Sequence, residues 1–189
     1  MKQTSLEALR ANLLSENLEE QIPALDQACK LVEDIITIAV QMLEKGPERY
    51  LVAERLPRLG PTVVEPLQSL LLRSSNSEVK VLASLVLLRL GSEIGMDVLM
   101  HALSVDRNYP VLIAEHLAAR KVCESADRMI SRLRTAEPDE IDLIVGFLRA
   151  LAELRAEIPA DLMSRFTQPS MPWQVRRVSE EISKQSSGG

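Results

Sequence analysis

Aromatic side chains are nearly missing from this sequence. Two Phe, two Tyr and one Trp make up 3% of 189 residues. Glycine (7) and proline (10) are sparse as well. An all-β sandwich draws on β-branched and aromatic strands with frequent turns, so this composition excludes one. Cysteine and histidine number two each, which rules out a disulfide-rich scaffold and a four-cysteine zinc site. Cys29 and Cys123 lie far apart and are expected to be buried, reduced thiols. Long apolar runs are missing too. The most apolar stretches, Ile35–Val40 and Val81–Leu88, fall far short of the ~20 residues that span a bilayer. Met1 to Asn12 carries Glu7 and Arg10 without an apolar centre, unlike a secretory signal. The expectation is a soluble, cytoplasmic chain with no membrane partner.

A basic excess is also lacking. Net charge is −5. Residues 1–58 hold 7 basic and 10 acidic groups, and residues 59–189 hold 15 and 17. Phosphate binding needs a basic footprint, so a nucleic-acid partner is disfavoured. What is abundant is aliphatic: 46% of the residues are hydrophobic, enough for a core and too many for disorder.

Helical spacing dominates. Leu6, Leu9, Leu13 and Leu14 recur at 3–4 intervals, and Ser5 suits a cap. Pro23 suits a first helical turn. A long second helix is expected beyond it, with Leu25, Cys29, Val32, Ile35, Ile36, Ala39, Val40 and Leu43 on one apolar face. Gly46-Pro47 ends it. Shorter helices are then expected near 48–59, 62–74, 77–90, 92–104, 109–121, 124–134, 139–156, 159–167 and 172–184. No period-2 run reads as a strand. The last residues, 185–189, read as a flexible tail.

An internal period organises the second part. Val79, Val111, Leu143 and Val175 are spaced by 32 residues. Leu87, Ala119 and Leu151 keep the same interval, as do Leu90, Val122 and Leu154. Leu99, Ile130 and Leu162 follow at nearly that spacing. Leu56, Leu59 and Leu67 occupy the matching slots of an earlier, less regular unit. Each unit is expected to be a helix pair that buries its apolar stripe only by stacking on neighbours. Small residues such as Ala83, Ala114, Ala118, Gly146 and Ala150 permit close helix approach.

One unit carries a family resemblance. Asn76-Ser77-Glu78-Val79-Lys80, Ala83, Leu87-Leu88-Arg89-Leu90-Gly91, Ile94-Gly95, Val98-Leu99 and Ala102-Leu103 resemble a HEAT repeat, nearest to the phycobilisome-lyase-type HEAT proteins of bacteria. Asn76-Ser77 stands where that pattern has Asp-Pro. Lys121-Val122-Cys123 and Glu153-Leu154-Arg155 replace its Leu-Gly in the neighbouring units. The resemblance covers roughly 47–184. It implies an all-α, right-handed superhelical solenoid of about four to five helix pairs. Residues 1–46 fall outside it, as a two-helix cap, a docking element or a surface for pairing with a second copy. Residues 185–189 close the chain.

Catalytic chemistry finds little purchase. His101, His116, Cys29 and Cys123 show no metal-ligand spacing, and His116 sits among apolar neighbours. Cys123 follows Arg120 and Lys121, but ends a helix where a small apolar residue is expected. Asp139-Glu140 stands at a helix start, where the dipole favours carboxylates. No phosphate-loop or nucleophile-elbow motif occurs, and no cofactor is expected. Arg120, Lys121, Arg128, Arg132 and Arg134 form a basic cluster. Tyr50, Tyr109 and Trp173 are candidate anchors. Trp173 reads foremost as a plug for the terminal core, with Val175, Val178 and Ile182 beside it. Met96, Met100 and Met129 read as gap-fillers. The expected function is non-catalytic protein–protein binding, as adaptor, scaffold or assembly factor. The candidate contacts are Gln68, Asp97, His101, Arg128, Arg132 and Arg165, exposed along a concave face. What the resemblance implies as an alternative is attachment or removal of bilin chromophores. A nucleic-acid-binding HEAT protein is the third reading.

Overall fold

The computed structural model describes residues 3–187, and these residues are helical with no strand among them. They form two compact units, Met1–Val86 and Leu87–Gly189, described separately below. None of their helices is long and apolar enough to cross a membrane.

The first unit opens with α1 (Gln3–Leu13) and α2 (Leu18–Lys45). The break falls earlier than the apolar spacing suggests, at Leu14–Asn17. Asn17 makes it: its side chain accepts the Glu19 N–H at 3.0 Å, a standard N-cap bond. Pro23 therefore sits inside α2 rather than in its first turn. α3 (Arg49–Arg55) follows, then 3₁₀ turns over Leu56–Val63, then α4 (Val64–Arg73). Gly60 breaks the 3₁₀ segment at φ 72° and ψ −159°, and the helix expected near 48–59 is α-helical only as far as Arg55. Leu43, Leu56, Val63, Leu67 and Leu70 are buried at the centre of this unit. α2 packs against α1, α3, the 3₁₀ segment and α4. Arg49–Glu78 (2.9 Å) and Arg73–Glu44 (3.0 Å) add ion pairs.

α5 (Ser77–Arg89) runs through the division between the units. Val81–Leu88 are buried without exception, as befits a helix apolar all round.

The second unit comprises α6 (Met96–Val105), α7 (Pro110–Ala119), α8 (Ser125–Thr135), α9 (Ile141–Leu154), α10 (Ala160–Phe166) and α11 (Trp173–Ser187). α7 packs on α9 and α9 on α11, while α6 packs on α7 and α8. α11 carries on into the expected tail, whose last residues, Gly188 and Gly189, lie outside the described residues. Ile113, Leu117, Met129, Leu133, Ile144, Phe147 and Phe166 fill the core.

One backbone feature recurs along the chain, at an uneven interval. Three helices end in the same left-handed cap, at Gly91 (φ 87°), Lys121 (φ 58°) and Arg155 (φ 55°). In each, the next N–H returns to a carbonyl five residues back: Ser92 to Leu87, Val122 to Leu117, Ala156 to Leu151. This is the bonding of a Schellman cap. The equivalent residues are thus Leu87, Leu117 and Leu151. The even interval selects Ala119 instead, which is exposed. The same shift replaces Ile130 by Met129, which with Leu133 is fully buried. Two compensating offsets in the central unit restore the even interval on either side of it.

Candidate functional site

Eight large hydrophobic side chains stand exposed on α2. Leu18, Ile22, Leu25, Cys29, Val32, Ile36, Ala39 and Leu43 alternate at spacings of four and three, which is a coiled-coil seam. Its C-terminal part is covered, with Ile36 and Leu43 buried. Its N-terminal part is open: Leu18, Ile22, Leu25 and Val32 are between 49% and 65% exposed. α1 packs on a different side, where Leu9 and Ala24 are buried and Gln21 Nε2 donates to the Leu13 carbonyl at 3.3 Å. Leu31, Ile35, Ile38 and Met42 are exposed on a further stripe of the same helix. Cys29 is accordingly an exposed thiol rather than a buried one, because no described residue of the first unit covers this half of the seam.

Cys123 is exposed as well. It lies in the turn after α7, with Sγ 3.5 Å from the Lys121 carbonyl. The left-handed Lys121 turns the chain outward before the cysteine reaches the core.

The polar candidates divide by task. Asp97 and His101 on α6, and Arg128 on α8, are exposed. Arg128 reaches Ser104 Oγ only at 3.4 Å, and lines an open groove with Met100, Glu124 and Asp127. Gln68 on α4 is half-buried. Arg132 and Arg165 are half-buried too, and are not free contacts. Arg132 donates to the Leu103 carbonyl at 3.0 Å and stacks 5.9 Å from the Phe147 ring centre. Arg165 donates to the carbonyls of Leu133 (3.2 Å), Arg134 (3.1 Å) and Ala136, and lies 5.4 Å from the Phe166 centre. Both arginines satisfy carbonyls that a helix end leaves unpaired. Burial lowers the Arg132 guanidinium from its ordinary value, while Glu140 and Asp106 pull it back. It remains a cation at any working pH.

Trp173 corrects another expectation. It is 61% exposed and does not plug the terminal core. Met171, Val175 and Val178 are buried there instead. Trp173 borders an open groove between α9 and α11, with Ile141, Val145 and Arg149. Tyr50 is exposed and Tyr109 half-buried. His116 is half-buried, and Met129 is a core residue. Among the described residues, no three His, Cys, Asp or Glu side chains gather as metal ligands do.

The open α2 seam is absent from the six sequence candidates. Its signal was available: acidic residues accompany it at Glu19, Asp26 and Glu33, seven apart. No family model, curated protein or solved structure matches this chain.

Proposed function

We propose that the chain is a cytoplasmic, non-catalytic protein-binding module, acting as an adaptor, scaffold or assembly factor. One observation carries this reading: half of a heptad seam on α2 stands open beside a second exposed apolar stripe. Monomeric proteins rarely expose contiguous apolar patches larger than a few hundred Å², and larger ones mark interaction sites. Each half-exposed Leu or Ile withholds about 1 kcal/mol of burial, which a docked partner would supply. Asp97, His101 and Arg128 offer a separate polar surface on α6 and α8. The repeated left-handed caps support stacked helix pairs of the HEAT-like, right-handed solenoid kind, about four to five in number.

Ile22→Glu combined with Val32→Glu tests this. Both side chains are about half exposed, so helical circular dichroism and the melting temperature should hold. Capture of a partner by the purified chain should fall by about tenfold or more. Undiminished capture by the double variant would overturn the assignment.

A further inference from the structure

Resting on that reading, we infer that the occupant of the open α2 seam is a basic amphipathic helix of a partner protein. Such a helix presents apolar side chains at 3–4 spacing, edged with Lys or Arg. The open part, Leu18 to Val32, is roughly 22 Å long at the helical rise of about 1.5 Å per residue. That length suits two heptads of a partner helix, with side chains meeting as knobs and holes.

The edges of the seam choose the charge. Glu19, Asp26 and Glu33 each follow a seam residue directly, so they form one acidic row along its side. All three are exposed, and none has a cationic partner among the described residues. The opposite edge holds Gln21 and Ala28, which carry no charge. Residues in these flanking positions select coiled-coil partners by salt bridges. Over residues 3–45 the chain holds eight acidic and three basic side chains, so the surroundings reinforce the row.

A second copy of the chain fits less well. Antiparallel pairing would set the two carboxylate rows against each other. Parallel pairing would set them against Gln21 and Ala28, which supply no cation. Lys30 lies outside the seam, one position past Cys29. Anionic lipid headgroups meet the same repulsion. A helix with Lys or Arg facing Glu19, Asp26 and Glu33 gains both the apolar contact and the charge match.

Cys29 supplies the readout, because its exposed thiol lies within the seam and the exposed Cys123 provides an internal control. Two synthetic helices of about 18 residues, long enough to hold helical structure, share leucines at 3–4 spacing. One carries Lys at its other positions and the second carries Glu. The full chain is mixed with each, and the rate of maleimide addition is measured at both cysteines. The lysine helix should slow Cys29 about tenfold, leave Cys123 unchanged, and lose its hold as salt is raised. The glutamate helix should leave both thiols unaffected. Glu19→Gln, Asp26→Asn and Glu33→Gln together should erase the preference, and the corresponding Lys variant should reverse it.

Equal protection by both helices overturns the basic partner while leaving the seam a docking site. Protection by neither, or protection that survives Ile22→Glu and Val32→Glu, overturns both. A dimer in sedimentation that shields Cys29 without any peptide assigns the seam to a second copy and overturns the basic partner too.

Discussion

Arg128, Arg132 and Arg165 share a side chain and differ in task. The sequence places all three on exposed helix faces, and for Arg128 that holds. The other two occupy a slot three residues after Met129 and Leu162, where α4 has Leu70 and α6 has Ala102. An arginine in that slot lies over an apolar surface and extends its head to a neighbouring helix end. Hydrogen bonds from a charged group contribute about 1.5–3 kcal/mol. Partial exposure of the group reduces this, so Arg132→Ala or Arg165→Ala should cost about 1–2 kcal/mol in urea unfolding, against near zero for Arg128→Ala. This division was not legible in the sequence, because periodicity reports which face a residue occupies and not where a carbonyl thirty residues away ends up. Arg155 is a second case. It sits in the left-handed region at φ 55°, where a non-glycine residue costs roughly 1–2 kcal/mol. Glycine's greater freedom in the unfolded chain returns part of that. Arg155→Gly should therefore raise stability by about 0.5–1 kcal/mol, read as a higher urea midpoint with an unchanged slope.

Between elements, α9 approaches α7 closely at Gly146. A Cβ built on Gly146 would lie 2.5 Å from Val111 Cγ1 and 3.0 Å from Cγ2. Alanine in mid-helix normally gains about 1 kcal/mol over glycine. Here the steric conflict outweighs that gain, and overpacking costs typically about 1–3 kcal/mol. Gly146→Ala should lower the melting temperature, and Val111→Ala should recover part of the loss in the double variant. A purely additive pair would show that the two helices do not meet as described. The small residue at 146 was legible as a close-approach position, but its partner was not. Val111 appeared to be a repeat-slot residue, because an even interval put it in line with Leu143. α2 teaches a similar lesson. Its apolar face was plain from spacing, yet spacing alone does not distinguish a covered face from an open one. Coverage depends on how far α3, the 3₁₀ segment and α4 extend along it, and they reach only its C-terminal half.

At the scale of the molecule, fold class was the most legible property. Scarce aromatics, few turn residues and helical spacing all pointed to an all-helical chain, and the described residues hold no strand. Charge was less legible. The whole chain is only modestly acidic at −5, and the coarse count of −3 over residues 1–58 and −2 over residues 59–189 hides where the charge sits. Mapped on the elements, the acid gathers on α2, where six acidic side chains face two basic ones, beside the exposed seam. The neutralised and charge-reversed seam variants address this distribution directly, since they leave the second unit untouched. The spacing of the caps at Gly91, Lys121 and Arg155 was legible in its mean of 32 residues and illegible locally, because the intervals of 30 and 34 residues cancel. The left-handed caps at Gly91, Lys121 and Arg155 are the true joints of that pattern. This has a practical side for anyone who would lengthen the protein. A helix pair copied from cap to cap would join equivalent backbone to equivalent backbone. One cut at uniform intervals would splice a core leucine onto the place of a surface alanine.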